Sequence, residues 1–69
     1  MQVYAEITGT VWAVEVQPGQ AVAQGDTLLV VESMKMEIPV SAPVAGTVKE
    51  VFVAQGDLVE DGQSILELE

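Results

Sequence analysis

Slid against itself by 37 positions, this 69-residue chain aligns residues 2–32 with residues 39–69 without a gap, and 12 of the 31 pairs are identical. Gly9-Thr10-Val11 falls on Gly46-Thr47-Val48, Val14 and Val16 on Val51 and Val53, Gly19 on Gly56, Val22 on Val59, Gly25 on Gly62, Leu29 on Leu66 and Glu32 on Glu69. Val3 and Ala5 likewise fall on Val40 and Ala42. Any valine-rich chain with regular turns resembles itself somewhat, but chance periodicity does not hold three glycines in register over such a span. The matched positions are turn glycines and core-type apolar residues, so the two halves are expected to share one backbone path. They should cover each other's apolar faces about an approximate two-fold axis, within a single domain spanning residues 1–69.

Thirteen of the residues are valine, and apolar positions often alternate with others, as at Val14 and Val16, Val51 and Val53, or Leu66 and Leu68. Glycine or proline interrupts the pattern every several residues, most clearly at Pro18-Gly19, Gly25-Asp26, Gly56-Asp57 and Asp61-Gly62. Short strands joined by tight turns follow, hence an all-β sandwich or barrel. A chain of this length lies near the lower limit for one apolar core, and without cysteine no disulfide framework supports it. Histidine is absent too, which removes the commonest general base and metal ligand, so a self-sufficient enzyme is not expected. Eleven acids against two lysines give a formal charge of −9, a field that repels nucleic acid and anionic membranes and favours solubility. No apolar run approaches the roughly 20 residues that span a bilayer, and MQVYAEITG lacks the regions of a signal peptide, so a soluble, cytoplasmic protein is expected.

Setting both copies aside leaves Met1 and residues 33–38, Ser-Met-Lys-Met-Glu-Ile. So short a join reads as a hairpin, entered by Leu28-Leu29-Val30-Val31 and left by Ile38-Pro39-Val40, with Lys35 on its tip. An exposed lysine amine is protonated at neutral pH and does not act as a nucleophile unaided. A partner enzyme holding an activated acyl group could desolvate and acylate it, turning the side chain into a long tether. Met34 and Met36 either fill gaps in the core or, as a pair around the lysine, offer adaptable apolar contacts to partners; their symmetric placement favours contact. Lys49 matches Trp12 of the other half and belongs within a strand, a charged end on an apolar stem. Glu60-Asp61 and Glu67 with Glu69 read as solvated faces, Asp57 to Gln63 lacks the spacing of a calcium loop, and Gly9 and Gly25 form no phosphate-binding motif.

The stretch ESMKMEIPVSAPVAGTV, with GDLVEDGQSILELE downstream, resembles the biotinyl domain of biotin-dependent carboxylases, decarboxylases and transcarboxylases, over essentially the whole chain. The resemblance implies a flattened barrel of two four-stranded antiparallel sheets. It implies that Lys35 receives biotin in amide linkage from biotin protein ligase, with Met34 and Met36 as flanking recognition residues. It further implies a carrier, itself no enzyme, whose biotin is carboxylated by a biotin carboxylase partner and discharged at a carboxyltransferase. Ala42-Pro43 with Gly46, and Gly56-Asp57, also look like family positions. Ser33 stands where many such domains have alanine, and the absence of an insertion after Val16 implies that the protruding thumb of some bacterial carriers is missing. The chain looks like a monomeric stand-alone attachment protein or a domain of a larger carboxylase. A rival reading is lipoate on Lys35, as in carriers of 2-oxo acid dehydrogenase or glycine-cleavage complexes, though those resemble the chain less at the methionine pair. Another is an unmodified structural sandwich. Glu32 and Glu37 bracket the tip, and either splay into water or are read by the ligase.

Overall fold

The corners of the molecule are four near-identical turns, at residues 17–20, 23–26, 54–57 and 60–63. In each, the fourth residue donates its backbone N–H to the first residue's carbonyl, from Gln63 to Glu60 at 2.9 Å through Gln20 to Gln17 at 3.2 Å. In each, the fourth side chain also turns back to accept the first residue's N–H, as Asp57 Oδ2 does from Ala54 at 2.8 Å and Asp26 Oδ2 from Ala23 at 2.9 Å. The third residue is glycine at φ between 90° and 94°, the geometry of a type II turn, where a side chain would be strained. Pro18 presets φ at the second position of the first turn.

Between these corners the computed structural model, which describes residues 1–69, places eight strands and no helix. They are β1 (Gln2–Tyr4), β2 (Gly9–Val14), β3 (Ala21–Val22), β4 (Thr27–Ser33), β5 (Met36–Ser41), β6 (Gly46–Val51), β7 (Leu58–Val59) and β8 (Ser64–Leu68). They form two four-stranded antiparallel sheets, ordered β1-β8-β6-β3 and β5-β4-β2-β7. Adding four to each strand number, and counting past eight back to one, turns the first order into the second. The registers obey the same shift of 37 residues. Thr10 faces Leu58 as Thr47 faces Ala21, and Val11 faces Val31 as Val48 faces Leu68. Even the irregularities recur, one at Trp12 in β2 and one at Lys49 in β6. Each sheet therefore draws two strands from either half of the chain.

Fourteen buried residues fill the space between the sheets, and all are apolar. Leu28, Leu29, Ile65 and Leu66 are completely buried at its centre, and each such side chain contributes about 1.5–3 kcal/mol by leaving water. Leu28-Leu29 and Ile65-Leu66 are consecutive pairs buried together, and strict alternation fails at both, with a register irregularity between Thr27 and Leu29 in the β4–β5 pairing. Gly9 lets β2 and β4 approach closely: a Cβ there would collide with the Glu32 carbonyl oxygen and lie 2.8 Å from Val31 Cγ1. That contact anchors the base of the β4–β5 hairpin. After Val16 the chain enters the 17–20 turn directly and continues into β3. No helix is long and apolar enough to cross a membrane.

The hairpin is tighter than its six-residue join implies. Ladder pairing runs on through Glu32 with Glu37 and Ser33 with Met36, leaving only Met34 and Lys35 outside it. Polar residues pair their backbones as well as apolar ones do, so strand ends of this kind extend past the hydrophobic pattern.

Candidate functional site

At the tip, two residues reverse the chain. Met34 has φ 52° and Lys35 has φ 65°, positive values at both central positions of a two-residue hairpin loop, which is the type I′ turn. Its twist matches that of the flanking strands, and asparagine and glycine are its usual occupants. With side chains in both places the backbone is strained by on the order of 1 kcal/mol or more per residue. The strain is held by the ladder beneath, since β4 is the inner strand between β5 and β2 and cannot relax without breaking two pairings.

This geometry projects three side chains off the end of the sheet. Met34 is 92% exposed, Met36 is 61% exposed, and Lys35 is exposed between them. Both methionines are thus exposed and fill no gap in the core. Lys35 has no ion-pair partner, whereas Lys49, inside β6, lies 3.8 Å from Glu67 in the molecule's one salt bridge. The two lysines differ in kind: one is committed to a sheet face, the other stands free on a fixed corner. No base or nucleophile adjoins Lys35, and no group of three or more acidic side chains gathers into a metal-holding cluster. The tip can receive an acyl group from outside but has no means of activating one.

Glu32 and Glu37 are direct cross-strand partners, one ladder step below Ser33 and Met36, and both are exposed. Facing carboxylates on one side of a hairpin repel each other, which costs stability. The same cross-strand row continues over the sheet, for Glu32 also faces Thr10, and Thr10 faces Leu58 of β7. The row Leu58–Thr10–Glu32–Glu37 thus spans all four strands beside the tip. Sequence reasoning singled out the glutamates but missed Thr10 and Leu58. Their neighbourhood depends on β7 pairing with β2 from far along the chain, for which no local signal exists.

Residues 2–68 match the family described as biotin-requiring enzymes. The chain belongs to that biotin/lipoyl family. The biotin/lipoyl attachment protein of Bacillus subtilis (strain 168) is 43% identical over 68 residues, covering 99% of this chain and 93% of that protein. The biotinylated protein TB7.3 homolog of Mycobacterium leprae is 49% identical over 63 residues, covering 91% of this chain and 89% of its own length. The crystal structure of the Kluyveromyces lactis urea carboxylase superposes with a TM-score of 0.94 at 32% identity, over 100% of this chain and 6% of that one. This family member is therefore similar in length to the small attachment proteins and spans under a tenth of the carboxylase.

Proposed function

We propose that the chain is a biotin carboxyl carrier in which Lys35 holds biotin by an amide bond. It is a biotin carrier domain homologous to the biotinyl domains of carboxylases, and a carrier, not a catalyst. On this reading residues 1–69 are one biotinyl domain whose halves, 2–32 and 39–69, are joined by 33–38. The observation that carries the reading is the free amine of Lys35 on the Met34-Lys35 corner, exposed and without an ion-pair partner.

The chain's own part in loading is small and specific. A biotin protein ligase brings an ATP-activated biotinyl carbonyl. The Lys35 ammonium gives up one proton to the ligase to become the attacking amine, and its nitrogen bonds to that carbonyl carbon and sheds a second proton, while the activating group departs with its bond electrons. Met34 and Met36 meet the ligase as flexible apolar contacts on either side. Attached biotin supplies the acceptor that carries a carboxyl group from a biotin carboxylase site to a carboxyltransferase site. The rigid corner fixes the root of the arm, so that only the side chain and its load swing. The carrier works as a monomer in the cytoplasm, and its charge of −9 keeps it from nucleic acid and anionic membranes.

Lipoate on the same lysine is the second reading, favoured by the biotin/lipoyl name of the Bacillus subtilis relative. One experiment separates them: intact mass before and after incubation with ATP, biotin and a biotin protein ligase, with a parallel lipoate and lipoate ligase arm and Lys35→Arg alongside. The expected result is a gain of one biotinyl group by the wild type, none by Lys35→Arg, and a formal charge moving from −9 to −10 on a native gel as the ammonium is lost. No gain in the wild type, or a gain that survives the substitution, overturns the assignment.

A further inference from the structure

The near two-fold symmetry lets one face of the barrel serve as a control for the other. Backbone register and turn hydrogen bonds agree between the sheets, and buried positions agree except at Val3 and Val16, whose matches Val40 and Val53 are half-buried, so an exposed residue that differs between matched positions is not dictated by the shared backbone. Beside the tip, the outer row of one sheet reads Leu58–Thr10–Glu32–Glu37. The matched row of the other sheet reads Ala21–Thr47, with Glu69 donating its backbone N–H to the Thr47 carbonyl at 2.8 Å. Between the two rows threonine matches threonine and glutamate matches glutamate, but a leucine stands where the other row has an alanine. Leu58 is 78% exposed, the most exposed large apolar residue outside the Met34–Met36 tip. It lies on β7, an edge strand, where an uncovered leucine invites unwanted association and contributes little to the core.

We infer that Leu58 is a docking residue for the enzyme that acylates Lys35. The leucine forms the far anchor of a seat that begins at Met34 and Met36, with the Glu32–Glu37 pair between them. Strands lie about 4.8 Å apart, so the row from Leu58 to Glu37 is on the order of 14 Å wide, a fitting width for the centre of a protein contact. The partner surface has a matching chemistry: an apolar pocket for the leucine, and cationic side chains opposite the paired carboxylates, since the patch offers no cation of its own except Lys35. The acylating enzyme is the occupant because it alone must find this lysine before any prosthetic group marks it. Later partners can grip the tethered group; the first has only side chains to read, and must reject Lys49.

The inference rests on Lys35 being the acylated amine, and its test keeps the two apart. Steady-state biotinylation by a biotin protein ligase is measured for the wild type, Leu58→Thr, Leu58→Met and Ala21→Thr, with thermal unfolding checked for each. Threonine keeps the strand preference of position 58, and methionine keeps its apolar reach. Leu58→Thr is expected to raise KM about tenfold with kcat and unfolding midpoint unchanged, the loss typical of one buried contact at an interface. Leu58→Met and Ala21→Thr are expected to behave as the wild type. Equal KM values for Leu58→Thr and the wild type overturn the docking role alone, as does an equal loss in Ala21→Thr. A wild type that takes no biotin overturns the carrier reading itself.

Discussion

A corner built from methionine and lysine, both at positive φ, holds a conformation that an Asn-Gly pair adopts without strain. On the carrier reading, the requirement for an amine at this spot outweighs the preference of the backbone. Replacing Met34 with asparagine and Lys35 with glycine should therefore raise the unfolding free energy in urea by about 1–2 kcal/mol while abolishing acylation. An unchanged or lower midpoint would mean that the turn is not strained. The place of Lys35 was legible in the sequence, because it lies in the short stretch that belongs to neither copy of the repeat. The sign of φ was not legible. Neither residue carries the turn signal of glycine or asparagine, and only the two-residue spacing between paired Ser33 and Met36 compels it.

Among the elements, the β4–β5 hairpin carries a second local cost, the facing Glu32 and Glu37. Glu37→Lys converts repulsion into attraction and should stabilise the protein by about 0.5–1 kcal/mol at low salt. The gain should shrink as ionic strength rises and the Debye length falls, which urea titrations at two salt concentrations would show. A gain indifferent to salt would point to strand propensity instead of charge. The four type II turns were readable from their glycines and from Pro18, since each needs a residue of special φ at a fixed place. The length of the hairpin's loop was overstated, because the rungs Glu32–Glu37 and Ser33–Met36 lie beyond the apolar runs that mark the strands. Least legible was the pairing of two-residue β7 with β2, and with it the position of Leu58. That contact joins residues far apart in the chain, and nothing in the local sequence around either announces the other.

For the molecule as a whole, interleaving matters more than the strength of any strand. Each sheet takes strands from both halves, so neither half can bury its own apolar residues, and the core forms once or not at all. Leu29 and Leu66 occupy matched, fully buried positions on the two sheets. Leu29→Ala and Leu66→Ala should each cost about 2–5 kcal/mol, and by symmetry the two losses should agree to within about 1 kcal/mol in urea unfolding. For so small a domain a loss of that size leaves much of the chain unfolded at equilibrium. Markedly unequal losses would show that the halves do not share the core evenly.

The ends of the chain meet along β1 and β8, where the Met1 amino group donates to the Leu68 carbonyl at 2.6 Å and the Leu68 N–H donates to the Met1 carbonyl at 2.8 Å. Shifted by 37 residues, that junction becomes the Met34-Lys35 corner. Pictured as a closed ring, the backbone has two equivalent apices, one cut open and the other bearing the amine. A leash tied at the open apex would thus pull through β1 and β8, on the sheet that does not hold the lysine, leaving the loaded apex free to pivot between distant stations.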